Sequence, residues 1–212
     1  MDRFPFVGIV SGAGDLEAVS ELLSALPPVC GAAFIVVQHL DSAREISFAA
    51  NLAKRTRFPV VHVQGDLVLE RDHVYVIGAN TALTVNGDSL SVKPRAGGLH
   101  RAGDALLVSL AAERADDAIG VVLSGGGSDG ALGIQAIKRS GGTTFAQYPG
   151  SARFPSMPIS AIDTGCVDRV LRPNEIAGEL IRLSRHAALL PDAGGIAPVA
   201  SYARYFKVYA RN

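Results

Sequence analysis

At 212 residues, with 20 Lys and Arg against 20 Asp and Glu, the chain has the length of one large domain and no formal net charge. That balance leaves no basic stripe for nucleic acid and no polybasic patch for an anionic membrane. The apolar fraction is 48%, yet no apolar run approaches the ~20 residues that span a bilayer. No signal-peptide pattern opens the chain, so a cytoplasmic protein without membrane insertion is expected.

Apolar runs rich in β-branched residues alternate with helical periodicity, the pattern of a parallel sheet covered on both faces. Phe6 to Val10 reads as the first strand. Ala18, Leu22, Leu23 and Leu26 then recur at helical spacing, predicting a helix over Glu17 to Leu26 that stops at Pro27-Pro28. Ala33 to Val37 is a second buried strand, Arg44 to Arg55 a helix, and Pro59 to Val63 a third strand. The rhythm breaks at 73–93, where His73 to Ile77, Ala82 to Val85 and Leu90 to Val92 read as short strands. Asn86-Gly87 between the last two is a hairpin signal, so an antiparallel flap inserted in the α/β core is expected.

Helix (Asp104 to Glu113), strand (Ile119 to Leu123), helix (Asp129 to Arg139) and strand (Thr143 to Ala146) resume the alternation. Val167 to Leu171 is the last strand, and Asn174 caps a last helix ending at His186. These elements predict one domain over residues 1–186 and a Gly-, Pro- and Ala-rich tail over 187–212, which Tyr202, Tyr205, Phe206 and Tyr209 could anchor. Cys30 and Cys166 stand alone and read as reduced thiols. His62, His73, His100 and His186 form no metal spacing, so neither a metal nor a cofactor is expected.

In an open parallel sheet, sites form at the carboxyl ends of strands. Three ends here carry distinctive residues: Ser11-Gly12-Ala13-Gly14-Asp15, Gln38-His39, and Ser124-Gly125-Gly126-Gly127-Ser128-Asp129-Gly130. A hydroxyl, an imidazole and a carboxylate are the parts of a Ser-His-Asp triad, with Ser11 attacking a carbonyl, His39 taking its proton and Asp129 orienting the imidazole. Glycine-loop N–H groups could stabilise an oxyanion. Each part has a structural alternative: Ser11 at a helix N-terminus, His39 as a hydrogen-bonded structural residue, Asp129 as the cap of the helix that follows. Gly12-Ala13-Gly14 begins like a dinucleotide fingerprint, but Glu17 stands where its third glycine belongs. The 124–130 loop lacks the Lys-Ser/Thr of a P-loop, and Asp129 would repel a phosphate.

The segments VGIVSGAGDLEAV (7–19), FIVVQHL (34–40), HVYVIGAN (73–80), AIGVVLSGGGSDGALGIQAIKRSGGTTFAQ (118–147) and FPSMPISAI (154–162) resemble, in order and spacing, the CheB-type chemotaxis methylesterases, especially the version fused to a methyltransferase. The resemblance covers roughly residues 6–186. It implies a Rossmann-like α/β sandwich with an antiparallel hairpin. It also implies hydrolysis of γ-glutamyl methyl esters on chemoreceptor cytoplasmic helices and, in many members, deamidation of receptor glutamines. The family histidine falls on His39, its aspartate on Asp129, and the oxyanion-stabilising backbone around Gly126.

The nucleophile is displaced. The family turn reads G-A-S-[AT]-G-G, and an ungapped match puts Gly12 on its serine, Ser11 on the preceding alanine, Val10 on the first glycine and Asp15 on the last. At a strand end a one-residue shift turns a side chain to the other face. Either the turn re-forms so that Ser11 reaches His39, making a serine carboxylesterase, or the nucleophile is lost and the chain is a non-catalytic binding module for receptor tails or a related signalling protein. The family usually carries an N-terminal receiver. Here the matching segment begins almost at Met1, which implies control by another chain or by the 187–212 tail.

Overall fold

The computed structural model describes residues 4–12, 15–38, 42–78, 81–94 and 101–189; for 42–45, 94 and 185–189 the backbone alone is described. Among the described residues, ten strands and six α-helices follow one another as β1 (Phe6–Ser11), α1 (Leu16–Ser24), β2 (Ala33–Gln38), α2 (Ser42–Ala53), β3 (Val60–His62), β4 (Leu67–Val68), β5 (Val74–Gly78), β6 (Thr81–Asn86), β7 (Ser89–Pro94), α3 (Ala102–Arg114), β8 (Ala118–Val122), α4 (Ala131–Arg139), β9 (Thr143–Gln147), α5 (Ser156–Ile162), β10 (Arg169–Leu171) and α6 (Pro173–Leu189).

Seven strands form a parallel sheet in the order β10-β9-β8-β1-β2-β5-β3. Every residue of β1, β2, β5, β8 and β9 is buried, which is why these segments read as unbroken apolar runs. Alternate residues feed two cores. Val7 and Ile9 of β1, with Phe34 and Val36 of β2, face α1, α2 and α6 through Leu22, Leu23, Leu52 and Leu180. Phe6 and Val10, with Ile35 and Val37, face α3, α4 and α5 through Leu106, Leu107, Ile134 and Met157.

The central strand, β1, lies between β2 and β8, so the chain leaves it toward both edges of the sheet. The crevice at the carboxyl ends of such a switch point is where open α/β sheets bind ligands. The three strand ends singled out in the sequence therefore lie side by side.

Several expected elements are corrected. Residues 74–78 are no part of the flap: β5 is a parallel strand between β2 and β3. The antiparallel sheet is β4-β7-β6, and it includes the two-residue β4 that no periodicity announced. Its hairpin turn is Gly87-Asp88, one residue later than Asn86-Gly87, because Asn86 pairs with Ser89. Only Gly87 of the two takes a positive φ (+54°), the arrangement of a turn with glycine in its first central position. Arg114, at the end of α3, donates to the Gly87 carbonyl at 2.9 Å, pairs with Asp88 and lies 3.7 Å from the Phe6 ring centre, tying the turn to the core.

The last helix starts at Pro173, so Asn174 stands inside its first turn. There its Oδ1 still accepts from Glu175 N–H at 3.0 Å, while the Glu175 carboxylate accepts from the Arg172 N–H at 2.8 Å. Helix α5 was not anticipated. The helix α6 runs to Leu189, and the expected tail from 190 onward, with its four aromatic residues, lies outside the described residues.

Cys30 and Cys166 are free thiols, and burial pushes Cys30 up to about 12, so it stays protonated at neutral pH. No described helix is long and apolar enough to cross a membrane.

Candidate active site

Ser11 is the last residue of β1 and has no solvent exposure. It continues the Val7 and Ile9 face, and its hydroxyl accepts a hydrogen bond from Gln38 Nε2, at the end of β2 on the same face. Gln38 is likewise fully buried, and its Oε1 has no hydrogen-bond partner. Sequence reasoning missed this partner because Gln38 was seen only as the residue before His39. His39 itself lies outside the described residues.

Asp129 stands on the opposite face of β1. Its Oδ2 accepts from Gly103 N–H at 2.9 Å, and its Oδ1 from Asp104 N–H at 2.8 Å and Gly130 N–H at 2.9 Å. It therefore holds the N-terminus of α3 and also binds the N–H of Gly130, the residue that leads into α4. A methyl carbon added to Gly103 would overlap Val10 Cγ1, which fixes the carboxylate on the Val10 side of the strand. Ser11, the next residue, turns away from it.

A second carboxylate, Asp104, lies beside Asp129 and is equally buried. It accepts from Gly133 N–H at 2.9 Å and approaches Arg101 Nε at 3.1 Å. Burial pushes its carboxyl above the ordinary value and the Asp129 charge adds to that, while Gly133 N–H and Arg101 pull the other way. An Asp in the first turn of a helix is so common that nothing in the sequence marked it.

Gly12 is the residue that decides what the crevice can do. Its N–H donates to the Ser124 carbonyl at 2.9 Å. A Cβ built on it would overlap Gly125 Cα and stand 3.2 Å from the Gly126 nitrogen and 3.3 Å from the Gly125 carbonyl carbon. The Gly125 backbone is held in place from the other side: its N–H donates to Phe154 O at 2.8 Å, and its carbonyl accepts from Met157 N–H at 3.0 Å. The Ser124 hydroxyl accepts from Phe154 N–H at 2.9 Å, and Gln147 Oε1 accepts from Ser124 N–H at 2.8 Å. Gly126, the candidate oxyanion donor, is exposed at the lip of the crevice, next to the point where a side chain at position 12 would emerge.

Among the described residues no group of three or more His, Cys, Asp or Glu could hold a metal ion.

An open parallel sheet with a glycine loop and a backbone-caged aspartate at its switch point defines a Rossmann-like α/β protein. The chain matches the sequence model of the CheB methylesterase family over residues 7–180 and belongs to that family. It is 42% identical over 124 residues to an uncharacterized 104.1 kDa protein of Rhodobacter capsulatus, covering 58% of this chain and 13% of that one. It is 33% identical over 168 residues to protein-glutamate methylesterase/protein-glutamine glutaminase 3 of Myxococcus xanthus, covering 79% of this chain and 47% of that one. The chain thus spans about half the length of these relatives or less. The crystal structure of the Thermotoga maritima CheB methylesterase catalytic domain superposes with a TM-score of 0.78 at 25% identity, over 85% of this chain and 99% of that one.

Proposed function

We propose that this chain is a CheB-type domain that binds a chemoreceptor-type cytoplasmic helix at its glutamyl methyl ester sites without hydrolysing the ester. One observation carries the reading: at position 12, where the family pattern has its serine, there is a glycine, and the pinned Gly125 backbone fills the direction a side chain would take. The only hydroxyl nearby in sequence, that of Ser11, is inside the sheet, engaged with Gln38 and on the face opposite Asp129. A hydroxyl buried and turned this way is no ready nucleophile for an ester carbonyl in the crevice, and loss of a nucleophile costs orders of magnitude in rate.

What supports binding is the framework that remains. The amide cage around Asp129 holds the start of α3 and the glycine loop in register, and residues 126–128 present their backbone to solvent beside the crevice. Such a domain would work in the cytoplasm, where receptor helices carry their methyl esters.

The test incubates the purified chain with receptor bearing methyl-esterified glutamates, and measures methanol release and co-sedimentation on the same samples. The expected result is receptor binding, no methanol above the receptor-alone control, and no change in either with Ser11→Ala. Methanol release that disappears in a folded Ser11→Ala variant overturns the reading in favour of a displaced serine esterase. Absence of binding overturns it as well.

A further inference from the structure

We propose that the cleft between the start of α1 and the 147–153 segment is a binding pocket for a primary alkylammonium group. The cleft has a volume of about 180 Å³ and is lined by Asp15, Glu17, Glu21, Gln147, Ser151 and Arg153. Asp15 forms its buried part. Only 3% of this residue is exposed; its Oδ1 caps α1 by accepting from Ala18 N–H at 3.2 Å, and its Oδ2 has no hydrogen-bond partner. A buried carboxylate oxygen without a donor is costly unless something supplies one.

The surroundings select the donor. Three carboxylates face one guanidinium among the lining groups, so the cleft favours a cation. Glu17 and Glu21, four residues apart, stand exposed on one face of α1 at the mouth. Glu17 is drawn only loosely toward Arg55, at 3.9 Å with both side chains in solvent. A metal ion is unsuited, because no described cluster offers three of its usual ligands. A guanidinium binds best to both oxygens of one carboxylate, and one oxygen of Asp15 is already taken. An ammonium needs only one oxygen there and can share its other protons with the Glu17 and Glu21 carboxylates that line the mouth. This pocket stands whether or not the neighbouring crevice hydrolyses an ester.

The experiment is an NMR titration of the full chain, at constant ionic strength, with N-acetyl-lysine methylamide, n-butylammonium and the uncharged N-acetyl-norleucine methylamide. Both amines are expected to move the Ala18 and Gln147 amides saturably, with Kd on the order of 1 mM, and the norleucine compound to leave them in place. Binding of the lysine compound alone would assign the pocket to a peptide side chain, and equal binding of both to any primary amine. Asp15→Asn keeps a capping oxygen for Ala18 and is expected to weaken binding about tenfold or more. Arg153→Ala is expected to tighten it. No saturable shift, equal binding of the norleucine compound, indifference to Asp15→Asn, or weakening by Arg153→Ala (the mark of a zwitterion) would each overturn the proposal.

Discussion

The turn after β1 and the loop after β8 touch backbone to backbone because neither Gly12 nor Gly125 carries a Cβ. The Gly125 side of the contact cannot retreat freely, since Phe154 and Met157 bind its amide and carbonyl, and a Cβ on Gly125 would itself overlap Met157 Sδ. Writing the family serine back with Gly12→Ser therefore sets a new side chain against a pinned loop. The expected result is a loss of about 1–3 kcal/mol in stability, the usual range for overpacking, read from the denaturant midpoint. Methanol release from methylated receptor should not return. Recovery of turnover with no loss of stability would show that the loop yields and that one substitution separates this chain from an esterase. The sequence disclosed that Ser11 stands one position early, and strand alternation made the opposite face one of two outcomes it left open. It could not disclose Gln38 as the partner or Asp129 as the holder of α3, because both contacts join residues more than 20 positions apart that meet only in the folded sheet.

Elements were legible in proportion to their length and burial. The long parallel strands announce themselves by unbroken runs such as Phe34–Val37, and α1 by its four apolar residues on one face. The two-residue β4 and the seven-residue α5, with Pro158 near its start, fall below the window in which any period can be counted. The hairpin was visible through Gly87, but its register was not, because Asn86 and Asp88 serve equally well as the glycine's turn companion. Its attachment is also a long-range matter. Arg114 joins the turn at Gly87 and Asp88 to the Phe6 ring, and the Ser109 hydroxyl accepts from Val85 N–H at 2.7 Å. Arg114→Ala leaves the half-buried Asp88 carboxylate without this partner and removes the guanidinium packed on Phe6. A loss of about 2–3 kcal/mol is expected, toward the low end for breaking a buried pair because Asp88 keeps some solvent. Hydrogen exchange should rise first in β6 and β7. Uniform acceleration across all seven parallel strands, with no lead in the hairpin, would show that Arg114 serves the core and not the hairpin.

For the whole molecule, the two faces of the sheet are unequal. One is covered by α1, α2 and α6 through a largely apolar core, while the other meets α3, which carries the buried Asp104 in its first turn and rests its N-terminus on the buried Asp129. Backbone N–H groups at a helix start favour negative charge, but two such charges side by side oppose one another, and burial has already pushed the Asp104 carboxyl upward. A carboxyl whose folded pKa exceeds its unfolded value of about 3.9 keeps its proton longer in the fold than in the open chain. Stability therefore falls as pH rises from that unfolded value through the folded one, and the loss is complete above it. Asp104→Asn removes the titration while its amide oxygen still accepts from Gly133 N–H. Relative to the parent, its Tm should accordingly gain more at pH 7 than at pH 3.5, by roughly 2–4 °C for each 1 kcal/mol in a chain of this size. Because α3 packs on β1, β6, β8 and α4 together, the gain should appear in the single global transition and not as local fraying. An equal change in Tm at the two pH values would mean that Asp104 titrates like an ordinary surface carboxyl, and that Arg101 and Gly133 fully compensate its burial.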